Sequence, residues 1–164
     1  MLAAGEASRF GTPKQRLLLP EVLERLEQSP VDEIVVVAGA HTLETPARVV
    51  TCAGWKRGPG ASLASGLAEL GADVEAAVVV LADGPDLAAE AVERVIDAWR
   101  SNGDPVVAAS YGGERGHPLL VAREAWGSIP DAGLRELHAR LVPCDDLGSP
   151  GDVDTPADLP ERLR

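Results

Sequence analysis

Apolar residues along this chain come in two patterns. Continuous, largely β-branched runs stand at 34–38 (IVVVA), 76–82 (AAVVVLA) and 106–110 (VVAAS), with a shorter one opening the chain at 1–4 and others at 49–51 and 119–121. Runs of this length predict strands, the longer ones buried on both faces. Between them, apolar positions recur three and four residues apart. Val22, Leu23 and Leu26 share one face of a helix predicted to open at Pro20, a residue tolerated in a first turn. Val92, Val95, Ile96 and Trp99 do the same over 88–102. Residues 62–70 and 132–140 are also read as helices, and Thr155-Pro156 with Asp158 as the start of a closing one: hydroxyl cap, proline, carboxylate. Strands alternating with helices predict one α/β domain over 1–164, Rossmann-like, with a mostly parallel sheet.

The 164 residues suffice to bury a core. With 45% hydrophobic but only 3% aromatic residues, that core is aliphatic. A net charge of −11 argues against nucleic acid or an anionic membrane as partner, since both require a basic footprint. No apolar run approaches the roughly 18–20 residues of a membrane span, and no secretory leader is read. Cys52 and Cys144 lie too far apart for a metal motif and read as small buried hydrophobes, consistent with a reduced, cytoplasmic setting.

Against that acidic background the cations of the first fifteen residues, MLAAGEASRFGTPKQ, draw attention. A strand end runs into Gly5, then a small-residue loop with Arg9, Gly11 and Lys14. Such a loop brings backbone N–H groups toward an anion, and a guanidinium fork and an ammonium are the usual partners of phosphate oxygens. The chain has only two lysines, Lys14 and Lys56, against thirteen arginines, which makes a lysine here less casual. Asp83 follows the 76–82 strand directly, at the strand end where open α/β sheets place ligands; Asp86 reads as the cap of the helix that follows. Gly58 and Gly60 permit close approach of a loop to a ligand. Ser62 has two readings, an anion-facing hydroxyl or a helix N-cap; Trp55 is read as packing. Asp152 and Asp154 precede the closing cap and are not explained by it.

Taken together, Leu2-Ala3-Ala4-Gly5-Glu6-Ala7-Ser8-Arg9-Phe10-Gly11-Thr12-Pro13-Lys14 resembles the L-A-A-G-x-S-x-R-[FM]-G-x-x-K signature of the MobA/MocA-like nucleotidyltransferases, with the Ser one place later. Four further stretches match that family: Trp55, Gly58, Ser62 and Leu63 its W-x-x-G-x-x-x-S-L; Leu81-Ala82-Asp83-Gly84-Pro85 its L-A-D-x-P; Gly116-His117-Pro118 its G-H-P; and Asp152-Val153-Asp154-Thr155-Pro156-Ala157-Asp158-Leu159 its ending. Asp131-Ala132-Gly133-Leu134-Arg135 is similar to G-D-x-G-x-R without the first Gly. The resemblance implies a three-layer nucleotide-diphospho-sugar transferase-like fold. It implies a nucleotide bound over Leu2, Ala3, Ala4 and Gly5 with Ser62, catalytic Arg9, Lys14 and Asp83, Mg²⁺ held by Asp83 and Asp154 with Asp152 in support, and an acceptor side at Gly116, His117 and Pro118. His117 is read there as a wall residue in preference to a general base, and Arg135 as a solvated helix residue in preference to a phosphate ligand. The L-A-A-G and L-A-D-x-P forms point to the cytidylyl branch: CTP, a phosphorylated acceptor such as molybdopterin, and a molybdoenzyme or chaperone as protein partner. Guanylyl or sugar-phosphate transfer, and a non-catalytic nucleotide-binding protein, are the alternatives. The family's connection after Lys14 is longer, and Met1 stands where a first strand is nearly finished. The expectation is a compact domain or residues missing at these two places.

Overall fold

Most apolar runs of the sequence become strands of one twisted sheet in the computed structural model, which describes residues 1–164. The strands are β1 (Leu2–Ala3), β2 (Val35–Ala38), β3 (Arg48–Thr51), β4 (Ala76–Val79), β5 (Val106–Tyr111), β6 (Glu114–Ala122) and β7 (Arg140–Pro143). The helices are α1 (Gln15–Glu27), α2 (Pro59–Leu67) and α3 (Ala89–Asn102). Strands β1, β2 and β3 pair in parallel, and β4-β6-β5-β7 form the other half. The halves join where the Leu2 N–H donates to Val80 O at 2.8 Å and the Ala82 N–H to Leu2 O at 3.0 Å, a parallel bridge just beyond β4. The resulting order is 3-2-1-4-6-5-7, in which β6 alone runs antiparallel.

Helices α1 and α3 cover one face, over a core of Leu19, Val22, Leu23, Val36, Val92, Val95 and Leu120. Helix α2 covers the other, where Leu63 and Leu67 meet Val79, Val106 and Leu119. No helix is long and apolar enough to cross a membrane.

Three local expectations are corrected. Helix α1 begins at Gln15, because Leu18 and Leu19 extend the buried stripe of Val22, Leu23 and Leu26 backward. Pro20 therefore stands inside the helix, where it removes one i→i−4 hydrogen bond, a loss the buried stripe offsets. Residues 132–140 are not a helix. Gly133 turns the chain at φ 88°, and the Arg115 guanidinium takes the carbonyls of Leu134 and Leu137 at 2.9 and 2.6 Å, so only a 3-10 turn (Leu134–Glu136) forms before β7. The closing helix is a pair of 3-10 turns, Pro156–Asp158 and Glu161–Leu163.

Candidate active site

The chain leaves β1 toward β2 on one side and later places β4 on the other, so the carboxyl ends of β1 and β4 form a switch point, where a crevice opens. Here lies a cavity of about 370 Å³. Its lining includes Leu2, Ala3, Ala4 and Gly5 from the end of β1, Arg9 and Lys14 from the loop and helix start, Ser62 from α2, and Asp83 and Asp154. Four stretches separated by up to 140 residues thus meet in one place.

Lys14 is the hub. It is only 8% exposed, yet its Nζ donates to Val153 O at 2.6 Å and lies 3.0 Å from Asp83 Oδ2 and 3.4 Å from Asp154 Oδ1. Burying a long flexible cation carries a desolvation cost that a surrounding cage of oxygens offsets. Arg9, with 71% of its side chain exposed, reaches over the mouth to Asp154 Oδ2 at 2.7 Å. The two carboxylates are aligned by backbone: the Val153 N–H donates to Asp83 O at 3.0 Å, tying the C-terminal strap to the end of the β4 segment.

The terminal cap contributes as well. Asp158 Oδ2 accepts from the Thr155 N–H at 2.7 Å, the Thr155 hydroxyl at 2.8 Å and the Asp154 N–H at 3.2 Å. The Thr155 hydrogen bonds hold the Asp158 carboxyl below the usual range. The expected cap is present, and it also fixes the backbone of Asp154. Asp152 stands close by, its carboxyl raised by burial and by the charges of Asp83 and Asp154.

On the opposite wall, Gly58, Pro59 and Ser62 line the cavity with Trp55, which is a wall residue as well as a packing one. Ser62 is not an N-cap. Gly58 holds that position, and Ser62 lies four residues further on, 3% exposed and facing the cavity. Gly60 approaches protein rather than ligand: a Cβ there would lie 1.8 Å from Pro130 O. Gly58, at φ 138°, likewise leaves room for Asp131 O, while Arg57 pairs with the Asp131 carboxylate at 3.0 Å. The expected ligand-approach role of Gly60 thus becomes a packing role. Asp86 does not cap α3, whose N-cap is Ala88, and pairs instead with Arg162 at 2.7 Å.

Gly116, His117 and Pro118 lie on β6, antiparallel to β4, so their end of β6 stands beside Asp83. They do not line the cavity but flank it. Tyr111 Oη donates to His117 O at 2.9 Å, and a Cβ on Gly116 would meet the Tyr111 ring at 2.9 Å. Burial pushes the His117 imidazole down to about 4, with the Asp83 charge opposing. Neutral histidine at pH 7 suits a wall residue. Arg135 lies exposed in its 3-10 turn, away from the cavity lining.

The donor set fits a hard divalent cation. Asp83 and Asp154 both present oxygens to one point, now held by Lys14 Nζ, and no third His, Cys, Asp or Glu completes a closed cage. Magnesium is bound in this open manner, by one or two carboxylates together with water and substrate phosphate. The sequence did not single out Gln15, which lines the cavity and donates through Nε2 to Gly5 O at 2.7 Å. A lone polar residue ahead of a leucine run carries no signal that separates it from a solvated helix start.

No curated protein sequence is significantly similar to this chain. Among solved structures, Rv0371c from Mycobacterium tuberculosis H37Rv is 28% identical at a TM-score of 0.81, covering 99% of this chain and 93% of that one, and its homolog from Mycobacterium sp. strain JC1 is 28% identical at a TM-score of 0.78, covering 99% and 92%. Rv0371C in complex with manganese is 25% identical at a TM-score of 0.73, covering 96% of this chain and 92% of that one. Molybdopterin-guanine dinucleotide biosynthesis protein A from Archaeoglobus fulgidus, 17% identical at a TM-score of 0.69 over 99% and 94%, shares the fold. The model of the MobA-like NTP transferase domain matches residues 1–143, which include the glycine loop, Arg9, Lys14 and Asp83. With that match over most of its length, the chain belongs to the MobA-like NTP transferase family, a family of nucleotidyltransferases.

Proposed function

We propose that the protein transfers CMP from CTP to a phosphorylated small-molecule acceptor of the molybdopterin kind, releasing pyrophosphate. The observation that carries this reading is the buried Lys14 ammonium, set between Asp83 and Asp154 at the carboxyl ends of β1 and β4. A buried lysine caged by carboxylates inside an open cavity is poor as a mere structural device, but it is ready to meet a polyphosphate.

In this reading the nucleotide lies over Leu2, Ala3, Ala4 and Gly5, with Ser62 on the opposite wall. Lys14 and Arg9 move from the carboxylates to the phosphates. An acceptor phosphate oxygen attacks the α-phosphorus, the bond to the β-phosphate oxygen breaks, and pyrophosphate leaves. Asp83 and Asp154 hold Mg²⁺, which when bound neutralises charge on the phosphates. Arg9 and Lys14 stabilise the leaving group. An acceptor that is already a phosphate needs little base, which agrees with a His117 kept neutral on the flank. The L-A-A-G form of the loop favours CTP over GTP, and a molybdoenzyme or its chaperone is the natural recipient of the product.

Pyrophosphate release from CTP and from GTP, each with molybdopterin and Mg²⁺, tests the reading. CTP is expected to be the better donor, and Lys14→Ala and Asp83→Ala each to lower turnover by at least about 10²-fold while the fold persists. Full activity in either variant would overturn the site, and faster reaction with GTP would overturn the choice of nucleotide.

A further inference from the structure

We infer that Gln15 reads the nucleoside half of the bound nucleotide, accepting through Oε1 a hydrogen bond from a base amine or a ribose hydroxyl. The inference rests on the cavity being the nucleotide site. Gln15 is the first residue of α1, 4% exposed, and its side chain folds under the glycine loop. Its Nε2 donates to Gly5 O at 2.7 Å, and this bond fixes the orientation of the amide. Turned the other way, two carbonyl oxygens would face each other. Oε1 is then left buried without any hydrogen-bond partner, the one side-chain nitrogen or oxygen in the protein so placed. Folded proteins keep few such groups, because each retains the full penalty of lost hydration.

The chemistry of the atom selects its partner. An amide oxygen only accepts, so it repels phosphate oxygens and carboxylates. The nearby cations are committed in either state, Lys14 to Asp83 and Asp154 and Arg9 to Asp154 here, and both to the phosphates in the proposed complex. In a nucleoside triphosphate with its phosphates ionised, the donors are confined to the nucleoside: the amine or ring N–H of the base and the hydroxyls of the ribose. No water-sized opening reaches Oε1 in the nucleotide-free protein. Gln15 lines the cavity beside Gly5, Ala7 and Ser8, so the proposal requires this wall to yield around Oε1 while the hydrogen bond to Gly5 O is kept.

Calorimetric titration of CTP, UTP, 2′-deoxyCTP and 3′-deoxyCTP with Mg²⁺ into wild type, Gln15→Leu and Gln15→Met tests this. Wild type is expected to favour CTP at least fivefold over one of the three analogues. UTP in that role identifies the base amine, and a deoxynucleotide identifies the ribose hydroxyl. Either variant should lose CTP affinity by the same factor as that preference and so erase it, with the disfavoured analogue binding as before. The methionine variant keeps the length of the side chain should leucine disturb folding, and thermal melts report which variant is native. An equal loss for all four nucleotides, or no loss, overturns the inference, because Gln15 then merely braces Gly5. A wild type that binds all four equally overturns it too. A wild type that binds none overturns the nucleotide reading of the cavity, and this inference with it.

Discussion

At the scale of single residues the site is a contest of charges around one point. Lys14 Nζ sits within 3.4 Å of oxygens from both Asp83 and Asp154, and Arg9 holds the remaining oxygen of Asp154 at 2.7 Å. A divalent cation using those carboxylates meets an ammonium a few ångströms away. At 4 Å and an effective dielectric of about 20, each unit charge pair is worth about 4 kcal/mol before relaxation. On the proposed reading Lys14 therefore weakens metal binding until a polyphosphate draws it away. Lys14→Met, although it removes a polar residue from the site, is expected to bind Mn²⁺ at least tenfold more tightly than wild type when no nucleotide is present. Depletion of the free Mn²⁺ paramagnetic resonance signal measures this directly. Equal affinities in the two proteins would show that the metal does not use these carboxylates. Arg9→Met should show the same direction with smaller effect, because Arg9 touches only Asp154 and is exposed.

At the scale of elements, the walls of the cavity depend on two glycines that accept another segment. A Cβ on residue 60 would lie 1.8 Å from Pro130 O, and the Gly60 N–H donates to Asp131 O at 2.9 Å. The atom met is backbone, which cannot swing aside as a side chain would. Gly60→Ala is therefore expected to cost more than about 2 kcal/mol in a urea melt, within the range of overpacked buried sites. A loss under about 0.5 kcal/mol would mean that residues 130–131 yield freely. This contact also explains what could be read from the chain and what could not. The strands at 34–38, 76–82 and 106–110 were legible because continuous aliphatic runs have few other uses, while Lys14, Asp83 and Asp154, which the structure brings together, were singled out mainly through the family resemblance of the stretches that carry them. The helix expected over 132–140 failed because Gly133 turns the chain at φ 88° and a guanidinium 19 and 22 residues upstream takes the carbonyls of Leu134 and Leu137 that a helix needs. Gln15 and the packing role of Gly60 were illegible for the same reason: each depends on a partner distant in space that no local pattern announces.

At the scale of the whole molecule, the acid side of the stability profile separates into two mechanisms. The chain carries a net charge of −11, so lowering the pH toward its isoelectric point near 4.6 relieves self-repulsion and favours the compact state. His117 acts the other way. Burial pushes its imidazole down to about 4 in the folded protein, against 6.5 when unfolded. As pH falls through that interval the unfolded chain takes up the proton first, so the contribution of His117 is present above about 6.5 and lost on the way to 4. Its size is on the order of 3 kcal/mol at most. The difference between wild type and His117→Gln in thermal melts from pH 7.5 to 4 isolates the histidine. Wild type should lose stability relative to the variant steadily below pH 6.5, whatever the common trend that charge relief imposes on both. Parallel curves would mean that the imidazole is solvated and titrates normally. The wall beside Asp83 would then be wet, and a flank that lets in water would compete with any acceptor for the α-phosphorus.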